Sequence, residues 1–372
     1  MEVIIGEYAE AKVFSNDMDE YARAQVKMIC DNKVSEGSKI RIMPDVHPGK
    51  IGPIGLTMTI KDKVIPGLLG IDIGCGVSMV NLNTKKIEFE KLDTIIRDYI
   101  PAGFKIRNSP HNLADNFNPL HLHCIDHINV DKAMASLGTL GGGNHFIEID
   151  SSVTDNLSLV VHSGSRHLGV EVAKYYMDEG AKELKKKGID IPYEMTYLEG
   201  DLFNQYIEDI KIIQDYAKLN REIIIREITK RMKIKSFSFI LSIAHNYIED
   251  TGEEMILRKG AISAKFAELV VIPINMRDGV IVGKGLGNSD WNCSAPHGSG
   301  RLYSREDTKN KYTVSAFKKD MRGIYSSCIN SSTLDESPFA YRKSDIILDS
   351  IKPTVGTIGI NRPVYSYKAG GK

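Results

Sequence analysis

Apolar and polar positions follow two periods along this chain. Residues 16–32, NDMDEYARAQVKMICDN, set Tyr21, Ala24, Val26 and Ile29 near one side of a predicted helix. Residues 170–188 keep that period and stop at Gly188, a good residue for ending a helix. The longest such stretch, 200–232, has apolar residues at 203, 206, 207, 210, 213, 216, 217 and 219, which is core spacing. Other stretches are short and β-branched. LSLVV (157–161), FSFILSIA (237–244), AELVVIPI (267–274) and GVIVG (279–283) read as strands. Residues 40–82 are strand-like and punctuated by glycine, and 107–130 are polar and loop-like. No repeat, low-complexity tract or Pro/Ser linker divides the chain, and helices and strands mix without a strict βαβ rhythm. The expected fold is α/β mixed, a single domain over residues 1–372.

One stretch resists the pattern. PGLLGIDIGCGVSMVNL (66–82) is apolar enough for a buried strand, yet it carries Asp72 and Cys75 among Gly70, Gly74 and Gly76. A carboxylate buried without a partner is costly. Glycine weakens a strand unless the backbone must turn or come close to something. Three histidines share a related setting: His145 in GTLGGGNHFIEID, His162 in LSLVVHSGSRHLG and His245 in FSFILSIAHNYIED. Two follow an apolar strand, and the third opens one after three glycines. One such histidine reads most simply as a hydrogen-bonded core residue. Three of them, with an Asp/Cys pair, read as metal ligands. Five donors exceed a single four-coordinate site, whereas two ions sharing the Cys75 thiolate would use them all. A metal would also give Asp72 its charge partner and keep Cys75 deprotonated. Softness alone favours zinc or iron over manganese. HLHCIDH (121–127) crowds His121, His123, Cys124 and His127 together, but in an irregular polar region, and close spacing alone rarely gives tetrahedral geometry.

GKGLGNSDWNCSAPHGSGRLYSR (283–305) suggests a second centre. His297 looks exposed, and the backbone N–H groups of Gly298, Ser299 and Gly300 would form an anion nest, with Arg301 adding charge. A phosphate is the expected guest, and the histidine beside it would be a nucleophile or a general acid. Taken alone, a flexible glycine loop with a surface histidine is the better reading of the stretch. No Gly-Lys-Ser/Thr follows, so it is not a P-loop.

Composition narrows the class. Lys plus Arg and Asp plus Glu balance at 48 each, so no global basic field advertises a nucleic-acid binder. ELKKKG (183–188) and KRMKIK (230–235) read as solvated faces. MEVIIGEYAEAKVF lacks the basic start and apolar run of a signal peptide, and no stretch approaches the ~18 apolar residues of a membrane helix. Five scattered cysteines without a CxxC pair suit reduced thiols in the cytoplasm.

The motifs together resemble the RtcB family of RNA ligases. The matching words are MPDVHPGK (43–50), GIDIGCG (70–76), GTLGGGNHFIE (138–148), VVHSGSR (160–166), AHNY (244–247), APHGSGRLYSR (295–305) and the C-terminal RPVYSYKAGGK, in the family's order. The resemblance implies a single-domain fold with two Mn²⁺ ions and a guanylylated histidine. Asp72, Cys75 and His145 would bind one ion, and Cys75, His162 and His245 the other. His297 would attack the α-phosphate of GTP. Asn144, Glu148, Asn246, Asn275, Gly298, Ser299 and Gly300 would hold the nucleotide, Tyr341 would stack on guanine and Lys368 would contact its edge. Asp45 and His47 would lie nearby. The substrate implied is RNA with a 3′-phosphate or 2′,3′-cyclic phosphate and a 5′-hydroxyl, gripped by Arg166 and Arg301, in repair or tRNA splicing. A monomeric, cytoplasmic enzyme is also expected, and the part of an archease-type activator stays open. Pro48, His167 and Asn275 depart from the usual pattern and point to a divergent branch. Two other readings stay open: a metal-dependent phosphodiesterase or phosphatase acting on RNA termini, and a non-catalytic RNA-end binder.

Overall fold

The computed structural model describes residues 2–152 and 156–369. Its fold is α/β mixed, and none of its helices is long and apolar enough to cross a membrane among the described residues. Asp19 starts the first helix, Glu20–Cys30, by accepting from the N–H groups of Tyr21 and Ala22. The buried side of that helix is Ala22, Gln25, Val26, Ile29 and Cys30. Tyr21 and Ala24 are exposed, one position off the expected face, because 22, 25/26 and 29 hold the helical spacing. The helix Arg166–Lys186 ends as the sequence suggests. Gly188 takes φ +76°, and Ile189 N–H reaches back to the Leu184 carbonyl at 3.0 Å.

Two large sheets carry the fold. One runs, in spatial order, Glu2–Ile5, Glu10–Val13, Ile40–His47, Ile54–Ile60, Met255–Lys259 and Asn246–Asp250. The other runs Ser238–Ala244, Gly76–Asn81, Leu157–Ser163, Phe146–Ser151, Val355–Lys368, Gly279–Gly285 and Leu269–Asn275. The long helix Gly200–Arg231 lies against both sheets. Its Phe203, Tyr206, Ile210 and Ile213 join the largest apolar cluster, and its Ile224, Ile225 and Ile228 join a second. Burial of such a stripe is what drives a helix onto its sheet.

Residues 66–82 are not one strand. Pro66–Leu69 is a helical turn, 70–75 are irregular, and only Gly76–Asn81 is a strand. Gly74 turns the chain with φ +71°, and a Cβ there would stand 2.8 Å from Ala217 Cβ of the long helix. The apolar text is buried because it threads between helix and sheet, not because it is strand throughout.

Asp150, on Phe146–Ser151, is fully buried, and neither carboxylate oxygen has a hydrogen-bond partner among the described residues. Burial, then the Glu148 carboxylate beside it, push its carboxyl well above the ordinary range. A group with a raised pKa supports the fold while protonated and loses that contribution as pH rises. Asp150→Asn is therefore expected to match the parent near the ordinary carboxyl pKa of about 4 and to surpass it increasingly at higher pH, by up to about 1.4 kcal/mol per pH unit. Urea unfolding across that pH range checks this.

Candidate active site

Strand register explains why distant residues meet. Ala244 pairs with Gly76, Val77 with His162, and His162 with Phe146. Cys75, His145, His162 and His245 therefore share one end of the seven-stranded sheet. His145 Nδ1 donates to the Leu140 carbonyl at 2.8 Å, and His162 Nδ1 donates to the Asn144 carbonyl at 3.2 Å. A carbonyl only accepts, so each Nδ1 carries the hydrogen and each Nε2 carries a lone pair. Both lone pairs face Cys75, whose Sγ is 3.3 Å from each Nε2. Asp72 Oδ2 stands 3.2 Å from His145 Nε2, and His245 Nε2 stands 2.9 Å from His162 Nε2. Two donor groups result, Asp72–Cys75–His145 and Cys75–His162–His245, each with its atoms within 4.8 Å of one another and with Cys75 in both.

The electrostatics suit a cation. Burial pushes the Cys75 thiol well up, and the Asp72 carboxylate adds to this. Burial, then neighbouring histidines, push His162 and His245 well below the usual imidazole range. Neutral imidazoles are the form that ligates, and a divalent ion would displace the thiol proton as it bound. The donor set thus fits one or two divalent metal ions.

Two side chains of the long helix clasp the loops that carry these donors. Asn220 Oδ1 accepts from Gly138 and Thr139 N–H at 2.8 and 3.1 Å, while its amide donates to the Thr139 and Gly164 carbonyls, both at 3.1 Å. Arg221, fully buried, donates to the carbonyls of Gly74 at 2.9 Å and Ser163 at 3.0 Å, the neighbours of Cys75 and His162. The sequence reading passed over both. Their signal was a polar pair continuing the apolar stripe of residues 213, 216 and 217.

His297 arrives from the other side. Its strand, Ser294–Pro296, pairs with Ala261–Ser263, which follows Met255–Lys259 of the six-stranded sheet. It is partly buried rather than exposed. Its Nδ1 bonds Asp45 Oδ2 at 2.7 Å, and Asp45 is fully buried. The carboxylate accepts the Nδ1 hydrogen and leaves Nε2 as the free lone pair. The His297 and His245 ring centroids are 4.7 Å apart. Gly260, at φ +63°, makes room, since a Cβ there would stand 3.3 Å from His297 Cε1.

A cavity of about 140 Å³ joins these parts. His162, His245 and His297 line it, with Asn144 and the 298–300 backbone. Glu148, Asn275, Tyr341 and Lys368 complete the walls that sequence reading expected. Ser299 Oγ donates to the Ile274 carbonyl at 2.8 Å. Asn275 accepts from the N–H groups of Arg277 and Asp278 and so also closes a turn. Burial pushes the Glu148 carboxyl up, with Ser366 and Lys368 offsetting part of this. Asp72, Cys75 and His145 do not line this cavity; they reach it through Cys75, which both donor groups share.

Other expected residues go elsewhere. Asn246 donates to the Asp72 carbonyl at 3.2 Å and accepts from Gly260 N–H at 2.9 Å, so it braces the Asp72 loop and does not line the cavity. Arg166 donates to Thr139 Oγ1 and the Gly103 carbonyl, also away from the cavity walls. Arg301 does line it, but its guanidinium turns to the Tyr303 and Asp335 carbonyls. His47 lines it and donates to the Asp45 carbonyl at 2.9 Å. In the 121–127 run, His123 pairs with Glu208 and His121 with Asn118, and neither donor group among the described residues includes them. The last three residues of the C-terminal word, 370–372, lie outside the described residues.

Soft metal donors, a glycine loop and a carboxylate-held histidine around one cavity can together serve phosphoryl or nucleotidyl transfer. Comparison with known proteins gives the family. The model described as tRNA-splicing ligase RtcB matches residues 31–121 and 112–369, and the chain belongs to the RtcB family. It is 28% identical over 414 residues to the RNA-splicing ligase RtcB of Escherichia coli (strain K12), covering 99% of each chain. It is 26% identical over 400 residues to the tRNA-splicing ligase RtcB of Archaeoglobus fulgidus, covering 83% of each.

Cys75→Ala deletes the atom common to both donor groups and is expected to deplete divalent metal at both, whereas His145→Ala should spare the Cys75–His162–His245 group. Metal content per chain after gel filtration separates these outcomes. Arg221→Met strands two buried carbonyls and is expected to cost at least about 2 kcal/mol of stability in urea unfolding.

Proposed function

We propose that this chain is a GTP-dependent RNA ligase that joins RNA 3′-phosphate or 2′,3′-cyclic phosphate ends to 5′-hydroxyl ends. The observation that carries this reading is His297, with Nδ1 held by Asp45 and its ring beside His245 in a cavity lined by glycine backbone. Family membership supports RNA as the substrate, and the relatives' names speak of RNA and tRNA splicing.

The chemistry balances on the chain's own residues. His297 Nε2 attacks the α-phosphate of GTP; the P–O bond to pyrophosphate breaks and a phosphoramidate forms. Asp45 keeps the Nδ1 hydrogen in place and stabilises the charge that gathers on the ring. An RNA 3′-phosphate oxygen then attacks the same phosphorus, and the P–N bond breaks to return neutral His297. A 5′-hydroxyl finally attacks the activated 3′-phosphate, losing its proton as GMP leaves. Cyclic ends are first hydrolysed: water attacks the phosphorus, the P–O2′ bond breaks, and the 2′-oxygen takes up a proton to leave the 3′-phosphate. Glu148 and Lys368 offer the acceptor and donor that a guanine edge needs, and Tyr341 offers a face to stack on. Bound metal, held by Asp72, Cys75, His145, His162 and His245, would neutralise the phosphate charge. Manganese as that metal follows the family resemblance.

Incubation with Mn²⁺ and α-labelled GTP, followed by denaturing electrophoresis, tests the proposal. The parent should carry label and His297→Ala should carry none while keeping its metal. Asp45→Asn should slow labelling by about 10²–10⁴-fold. An unlabelled parent that still cleaves a phosphodiester would instead favour a metal-dependent phosphodiesterase.

A further inference from the structure

Glu336 ends the 3₁₀ turn Ser331–Glu336 and does not itself line the cavity. It is buried, yet four side chains that do line the cavity converge on its carboxylate. Oε2 accepts from Lys368 Nζ at 2.7 Å and from Tyr341 Oη at 2.5 Å. Oε1 faces the guanidinium of Arg305 at 2.5 Å and that of Arg301 at 3.3 Å. Burial alone would push this carboxyl up, but Lys368, Arg305 and Arg301 more than offset it and hold it down at about 2. Burial likewise works against the Lys368 charge, and Glu336, then Tyr341, restore it at about 12. Arg305 also meets the buried Asp335 carboxylate at 2.6 Å, so three cations face two carboxylates and a net positive wall remains, which suits a polyphosphate. Long basic side chains lose much rotamer freedom when fixed. Here Glu336 holds these side chains through contacts within the protein, and preorganisation of this kind improves affinity.

We infer that Glu336 is a positioning residue: by gathering Lys368, Tyr341, Arg301 and Arg305 on one carboxylate it presets the cavity for a guanine nucleotide, and it governs nucleotide affinity more than the rate of transfer. The inference rests on the nucleotide reading of the cavity proposed above. Its test therefore reads binding separately from chemistry. Equilibrium binding of GTP to the full chain with Mn²⁺ is compared for the parent, Glu336→Gln and Glu336→Asp, and covalent labelling is followed against GTP concentration.

Glu336→Gln keeps the size and loses the charge. It should weaken GTP binding at least about tenfold while the saturating rate of labelling stays within about threefold of the parent. Glu336→Asp keeps the charge on a shorter arm and should fall between the two. Binding by Glu336→Gln within about twofold of the parent, or a saturating rate that falls as far as the affinity, overturns the inference. Should Glu336→Gln fail to fold, judged by circular dichroism, Glu336→Asp decides, and binding equal to the parent's overturns it. A parent that binds no GTP overturns this inference together with the functional reading. A parent that binds GTP but takes no label overturns the transfer step alone, and the Glu336 comparison is then decided on binding.

Discussion

The buried guanidinium of Arg221 is the constraint on which the rest of the site depends. A planar fork with five donors spans two loops that no apolar side chain could bridge. It reaches the Gly74 and Ser163 carbonyls at once and donates also to Ser78 Oγ at 3.0 Å. Those contacts fix where the chain leaves Gly74 for Cys75 and where it leaves His162 for the next helix. Asn220, one residue earlier, does the same for the loop before His145 and for Gly164. One turn of one helix thus sets the spacing of donors from three separate segments.

The opposite wall is held by a different logic. His297 belongs to chain that packs with the six-stranded sheet, and its orientation comes from Asp45 on that sheet. The metal donors belong to the seven-stranded sheet. The cavity therefore lies between the two sheets, with His297 held from one side and the Cys75–His162–His245 donor group from the other. Loops carry several of these side chains, and buried polar partners (Arg221 and Asn220 on one side, Asp45 on the other) hold them in place, which favours precise positioning.

How much of this could be read from sequence depends on the range of the interaction. The strands and the long helix were legible because each buries a face whose period repeats locally. The donor residues stood out because polar side chains sat at the ends of apolar runs, beside glycine. On the first helix Val26 and Ile29 were read correctly, while Tyr21 and Ala24 face out, since Tyr21 is apolar in composition but leaves its ring in water. The stretch 66–82 was read as a strand because burial and strand look alike in a short apolar run. Asp45 and His297 are 252 residues apart, and no spacing rule links them. Asn246 and Arg166 sit close in sequence to residues of the candidate site, yet sequence adjacency does not say whether a side chain faces a cavity or ties down a loop. Glu336 was invisible for the same reason, because its role exists only once four partners from three segments have been folded around it.

The position of Val355–Lys368 has a consequence for the order in which the molecule is made. It follows every other strand in the chain, yet it lies between Phe146–Ser151 and Gly279–Gly285, near the middle of the seven-stranded sheet. Until it is synthesised, both of those strands keep an open edge, the kind of surface that pairs with the wrong chain. Pairings across so long a stretch of sequence are also slow to form. A growing chain on the ribosome can close the six-stranded sheet and collect its five donor residues, but it holds two half-sheets until residue 368 arrives. The strand that unites them brings Lys368 with it, so the sheet and the cavity wall are completed in the same event.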